Sequence, residues 1–236
     1  MDATKNADAQ VTDGCPGDGR SGGEGACALE KAADELRRGG VVAFPTETVY
    51  GLGADAFNPK AVARVFEIKQ RPSFDPLIVH IDDRAKLSHV ALDVPPAAEK
   101  LMAAFWPGPL TIVLQKTPLI PDLVTSGLPT VAVRMPAHDM ALSLIRACGV
   151  PLCAPSANPF GYVSPTRAEH VVEQLGALVD RVLDGGPCAV GIESTIVDVT
   201  DGAPRILRPG VITAEALSLV LGEDVCRRTS HRAPLA

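Results

Sequence analysis

The sequence predicts one α/β domain built on an open, twisted, mixed β-sheet covered by helices. Three observations carry that prediction. Strand-like and helix-like segments interleave along about 195 residues with no linker between them. Apolar residues make up 46% of the 236-residue chain while aromatics are only 4%, so a sizeable core has to be packed from Val, Leu, Ile and Ala. Several connections ahead of strands are too short for a crossover helix, which places antiparallel neighbours among the parallel ones.

The elements follow in order. Residues 1–26 are polar and rich in glycine, with few side chains able to offset ordering entropy, and read as a flexible tail. Residues 27–38 carry Leu29, Ala32, Ala33 and Leu36 at helical spacing, and Gly39-Gly40 stops the helix. Residues 41–44 form a short buried strand. Asn58 is a good N-cap and Pro59 suits the first helical position, opening a helix with Val62, Val65 and Phe66 on one face. Strands are predicted over 77–81, 110–114, 130–135, 152–154, 195–199 and 205–207. Helices are predicted over 96–105, 139–147, 168–178 and 214–221. The domain thus spans 27–222, and residues 223–236 read as a polar C-terminal tail with no second C-terminal domain expected after it.

Charge and composition exclude several classes of function. A net charge of −6, from 22 basic and 28 acidic side chains, disfavours non-specific adhesion to nucleic acid or anionic lipid. The best basic strip, formed by Lys60, Arg64, Lys69 and Arg71, is short and lacks the aromatics of an RNA-binding face. The six cysteines show no C-x-x-C pair and no Cys/His cluster at metal spacing, so no metal ligands are assigned. No apolar run reaches the ~18 residues of a membrane span, and the first twenty residues lack the apolar region of a secretory signal. A cytoplasmic protein is expected.

Polar residues gather at strand ends. Thr46 and Thr48 lie two apart after the first strand, in Pro45-Thr46-Glu47-Thr48-Val49-Tyr50-Gly51-Leu52. Gly51-x-Gly53-x-x-Ala56 matches the spacing of a dinucleotide-binding loop, but the helix begins only at Asn58, so no helix N-terminus covers these glycines. Pro72 biases Arg71 away from helical geometry, letting Lys69 and Arg71 converge on one anion at a strand entrance; solvated helix-end cations are the plainer reading. Prolines after Ala154 and Asn158 put Ser156 and Asn158 on a common side of an extended segment. Arg134 sits among Val131, Val133 and Met135 on a strand and requires an anionic partner, either a ligand or a carboxylate of the chain. His80 closes an apolar strand, and Glu193-Ser194-Thr195 and Arg208-Pro209-Gly210 flank the last two strands. No P-loop is present.

Taken with Pro76-Leu77-Ile78-Val79-His80, Trp106-Pro107-Gly108-Pro109-Leu110-Thr111, Val133-Arg134-Met135-Pro136 and Ser194-Thr195-Ile196-Val197-Asp198, these segments resemble, in order and over residues 28 to about 221, the Sua5/YrdC family. The resemblance implies a YrdC-like fold and an enzyme that joins L-threonine, bicarbonate and ATP into L-threonylcarbamoyladenylate and pyrophosphate. That product feeds N6-threonylcarbamoylation of adenosine 37 in tRNA. Carried over residue by residue, it implies that Thr48, His80, Arg134, the Ala154 backbone and Ser194 hold L-threonine. Arg71, Asp75, Thr130, Ser156, Asn158, Ser164 and Arg208 would line the ATP site, with Lys69 and Arg71 as the catalytic cations. Mg²⁺ is expected to arrive with ATP without dedicated protein ligands. The product is expected to pass to a tRNA threonylcarbamoyltransferase; contact with tRNA is not required, and no membrane is involved. Asp75 beside phosphates has to meet a cation or a hydroxyl.

Overall fold

The computed structural model describes residues 10–13 and 22–227. Its strands are β1 (Gln10–Asp13), β2 (Val42–Phe44), β3 (Gly51–Asp55), β4 (Ile78–His80), β5 (Leu110–Gln115), β6 (Thr130–Arg134), β7 (Leu152–Cys153), β8 (Arg181–Asp184), β9 (Thr195–Asp198), β10 (Arg205–Arg208) and β11 (Cys226–Arg227). Its helices are α1 (Gly22–Arg37), α2 (Pro59–Lys69), α3 (Pro96–Phe105), α4 (Asp122–Thr125), α5 (Asp139–Cys148), α6 (Ala168–Leu175) and α7 (Ala214–Leu221). Among the described residues the strands form one sheet in the order β1-β8-β2-β3-β7-β4-β6-β5-β9-β10-β11. The sheet is mixed, as expected: β4 runs parallel to β6 and β5 to β9, while β2/β3, β3/β7, β7/β4, β6/β5 and β9/β10 are antiparallel.

Two elements depart from the sequence reading because glycine or charge hides them. β3 contains Gly51 and Gly53, which read as a loop, yet it pairs with β2 and β7 on both sides. Glycine is used there for close approach: a Cβ on Gly53 would lie 2.6 Å from the Phe44 ring. β8, Arg-Val-Leu-Asp, has only two apolar residues and gains its place by parallel pairing with β1 and β2. The tail predicted over residues 1–26 lies largely outside the described residues. Within that stretch Gln10–Asp13 forms β1 and α1 already starts at Gly22. An edge strand needs only backbone partners, and tertiary contacts override the weak helix propensity of glycine. The predicted C-terminal tail holds β11, paired parallel to β10; residues 228–236 lie outside the described residues.

The strands' period-2 alternation separates two packed layers. Val41, Ala43, Val79, Val131, Val133, Ile112 and Val197 join the inward faces of α2, α3, α6 and α7 in the larger core. Val42, Phe44, Leu152 and Leu183 point to the opposite face and pack under α1 and α5. Those two helices cover only part of that face. Over β4, β6, β5 and β9 the second set of side chains is left facing an open cleft. No helix of the described residues is long and apolar enough to cross a membrane.

Candidate active site

The cleft has a volume of about 500 Å³. Along β6 the alternation that buries Val131 and Val133 sends Thr130, Ala132 and Arg134 into it. Arg134 is only 4% exposed. Its Nη1 donates to Thr48 Oγ1 at 3.0 Å, its Nε to the Gly108 carbonyl at 3.2 Å, and its Nη2 lies 2.7 Å from Glu47 Oε1. A hydroxyl-bonded turn fixes Thr48. Thr46 Oγ1 accepts from the Thr48 and Val49 N–H groups at 3.2 Å and donates to the Val49 carbonyl at 2.6 Å. Thr46 Oγ1 also lies 2.9 Å from Thr48 Oγ1.

His80 faces Arg134 in register across β4 and β6 and meets the Phe44 ring edge-on, with centroids 6.4 Å apart. Burial and then the Arg134 charge push its pKa down to about 3, so the imidazole is neutral, and its Nδ1 has no hydrogen-bond partner among the described residues. Ser194 Oγ lies 2.8 Å from Thr111 Oγ1 and accepts from Arg208 Nη2 at 3.0 Å. The Ala154 N–H is spent on the Ile78 carbonyl at 2.9 Å, leaving Ala154 on the cleft wall between β7 and Ser156.

Cations collect at the other end. Lys69 ends α2, where Gln70 turns the chain with φ 51°, and its buried ammonium donates to the Ser156 and Asn158 carbonyls. Burial first, and Arg71 second, lower its pKa to about 7. The Arg71 guanidinium folds onto its own loop: Nε donates to the Asp75 carbonyl at 3.0 Å, and Nη2 lies 2.8 Å from Asp75 Oδ2. The charge of Asp75 is thus met by the Arg71 guanidinium. Arg208 pairs with Glu193, which also accepts from Ser164 Oγ at 3.0 Å, and donates to the Ser194 carbonyl through Nε and Nη2 at 3.2 and 3.0 Å. This seam is tight because a Cβ on Gly210 would fall 2.5 Å from the Glu193 carbonyl oxygen and the Thr195 nitrogen.

All the sequence-predicted site residues line this one cleft: Thr48, His80, Arg134, Ala154 and Ser194 with Lys69, Arg71, Asp75, Thr130, Ser156, Asn158, Ser164 and Arg208. Arg134 lines the cleft, and its carboxylate partner in the chain is Glu47. Gly51–Asp55 is a strand without a helix N-terminus above it, so the dinucleotide spacing is incidental. The basic strip does not exist as a surface: Arg64 pairs with Asp180 at 2.9 Å and Lys69 is buried.

The family model of Sua5, YciO and YrdC proteins, described as "Telomere recombination", matches residues 34–210. The chain belongs to the Sua5/YrdC family. It is 50% identical over 192 residues to a threonylcarbamoyl-AMP synthase of Pyrococcus abyssi, a match covering 81% of this chain and 56% of the relative. A threonylcarbamoyl-AMP synthase of Bacillus subtilis is 50% identical over 195 residues, covering 82% of this chain and 56% of the relative. The crystal structure of P. abyssi Sua5 complexed with L-threonine superposes with a TM-score of 0.82 at 48% identity, over 84% of this chain and 58% of that one. The chain therefore spans little more than half the length of these relatives.

Within this Sua5/YrdC domain the sequence reading missed the partners of its own site residues. Glu47 and Glu193 stand inside the quoted motifs, and their only local signal is adjacency to Thr48 and Ser194; Thr111 meets Ser194 across 83 residues and carries no local signal. Among the described residues no group of three His, Cys, Asp or Glu could hold a metal, and the cleft carboxylates Asp75 and Glu193 are each paired to an arginine.

Proposed function

We propose that this chain makes L-threonylcarbamoyladenylate from L-threonine, bicarbonate and ATP, releasing pyrophosphate, the first step of tRNA N6-threonylcarbamoyladenosine formation. The observation that carries the reading is the single cleft that opens onto both a guanidinium–hydroxyl end (Arg134, Thr48, Ser194) and a cationic end (Lys69, Arg71, Arg208), stitched together by the bond from Arg208 to Ser194. Ligands held at those ends share one cavity of about 500 Å³, which supports a reaction between them.

At the first end, Arg134 offers an N–H donor and its charge to the threonine carboxylate, Thr48 offers a hydroxyl to the substrate's polar groups, and neutral His80 adds no competing charge. The amine, once deprotonated, attacks bicarbonate to form an N–C bond with loss of water, giving the carbamate. A carbamate oxygen then attacks the α-phosphorus of ATP; the bond between that phosphorus and the bridging oxygen breaks, and pyrophosphate leaves. This transfer needs alignment and charge neutralisation, which Lys69, Arg71 and Arg208 supply, with Ser156, Asn158, Ser164, Asp75 and Thr130 lining the nucleotide end. Mg²⁺ enters as the ATP complex. The product goes to a tRNA threonylcarbamoyltransferase in the cytoplasm, without obligatory contact between this chain and tRNA.

The test is pyrophosphate release with each substrate omitted in turn, together with mass-spectrometric detection of the mixed anhydride. Release is expected only when L-threonine and bicarbonate are both present. Release independent of threonine overturns the reading.

A further inference from the structure

We infer that Glu47 is a positioning residue that presents the Arg134 guanidinium to a ligand carboxylate and thereby sets the affinity for the amino-acid substrate; the inference rests on the proposed reading of the cleft. Glu47 does not itself line the cleft, so it acts through Arg134. The turn that carries Thr48 also carries Glu47, and it is anchored from the far side: the Glu47 carbonyl accepts from the Val190 N–H at 2.9 Å and the Thr48 carbonyl from Gly191 at 3.0 Å.

The Glu47 side chain is nine-tenths buried and reaches 2.7 Å from Arg134 Nη2. Yet neither of its oxygens, nor Nη2, has an aligned hydrogen-bond partner among the described residues. A buried carboxylate without aligned donors costs free energy, and a buried ion pair contributes little net stability compared with apolar packing. Stability alone therefore gives no reason for this residue. What the arrangement supplies is constraint. Gly108 takes Nε–H, Thr48 takes one Nη1–H and Glu47 faces Nη2, so all three guanidinium nitrogens are fixed from the protein side. Nη2 is enclosed beside Glu47, and the N–H that remains on Nη1 is left for a carboxylate. Glu47 also supplies a counter-charge to the buried Arg134 guanidinium.

The experiment is calorimetric binding of L-threonine and, separately, of ATP to the wild type, Glu47→Gln and Glu47→Asp. Gln keeps the size and removes the charge; Asp keeps the charge and withdraws the carboxylate by one methylene. L-threonine affinity is expected to fall about tenfold in Glu47→Gln while ATP affinity stays within about twofold. Should Glu47→Gln not fold, the same selective loss in Glu47→Asp supports the inference. Threonine affinity within twofold of wild type in whichever variant folds overturns it, as does an equal loss for both ligands, which marks Glu47 as merely structural. Failure of the wild type to bind L-threonine strikes the proposed function instead, so the two failures are distinguishable.

Discussion

The ammonium of Lys69 donates to the backbone carbonyl of Asn158, and the Asn158 side-chain amide in turn donates to the carbonyls of Pro159 and Tyr162 at 2.8 and 2.9 Å. The Phe160 N–H closes the circuit on the Lys69 carbonyl at 2.8 Å. One buried cation thus ties the end of α2 to the loop that rims the cleft.

This arrangement gives nucleotide binding a proton signature. With its pKa lowered to about 7 by burial and by Arg71, Lys69 is mostly neutral at pH 8 in the free protein. Phosphates favour the ammonium and raise that pKa, so binding at pH 8 takes up protons, approaching about one per ATP. The same linkage weakens ATP affinity as pH climbs above 7. Calorimetry in two buffers of different ionisation enthalpy reads the uptake, which should vanish in Lys69→Met. An equal uptake in that variant assigns the proton elsewhere.

Arg134→Ala removes a charge-assisted contact to the threonine carboxylate, expected to cost about 1.5–3 kcal/mol, or roughly ten- to a hundredfold in L-threonine affinity. ATP affinity should hardly move. Isothermal titration with each ligand checks this, and unchanged threonine binding refutes the role given to Arg134.

Arg208 belongs to both ends of the cleft, because it holds Ser194 Oγ as well as Glu193. Arg208→Ala should therefore weaken threonine along with ATP. In a double-mutant cycle with Ser194→Ala, a coupling of about 1 kcal/mol in threonine binding is expected. Strict additivity would mean that the bond from Arg208 to Ser194 contributes nothing to the amino-acid end.

Gly53→Ala forces a methyl to within 2.6 Å of the Phe44 ring, whose edge-on contact with His80 fixes the cleft floor. Overpacking of this kind destabilises by about 1–3 kcal/mol, readable as a lowered urea midpoint. Phe44→Leu in the same chain should relieve part of that loss, since the clash is with the ring.

By itself the sequence determined the element types, the mixed sheet and the identity of the polar residues. These are written in local signals: Val131 and Val133 alternate with Ala132 and Arg134 on one strand, Asn58-Pro59 opens a helix, and Pro72 and Pro155 end regular structure where Lys69, Arg71 and Ser156 stand. Where glycine or charge masks such a signal, as in β3 and β8, the strand is legible only through its neighbours. The tertiary structure alone decided that α1 and α5 leave part of a sheet face open, and which side chains satisfy one another there. Arg134 with Glu47 and Thr48, Lys69 with Ser156 and Asn158, and Asp75 with Arg71 are choices among many carboxylates and carbonyls. Most of these partners are some 86 residues apart, and strand order brings them together. Alternation along one strand tells which way a side chain points; only the pairing of strands tells what it meets.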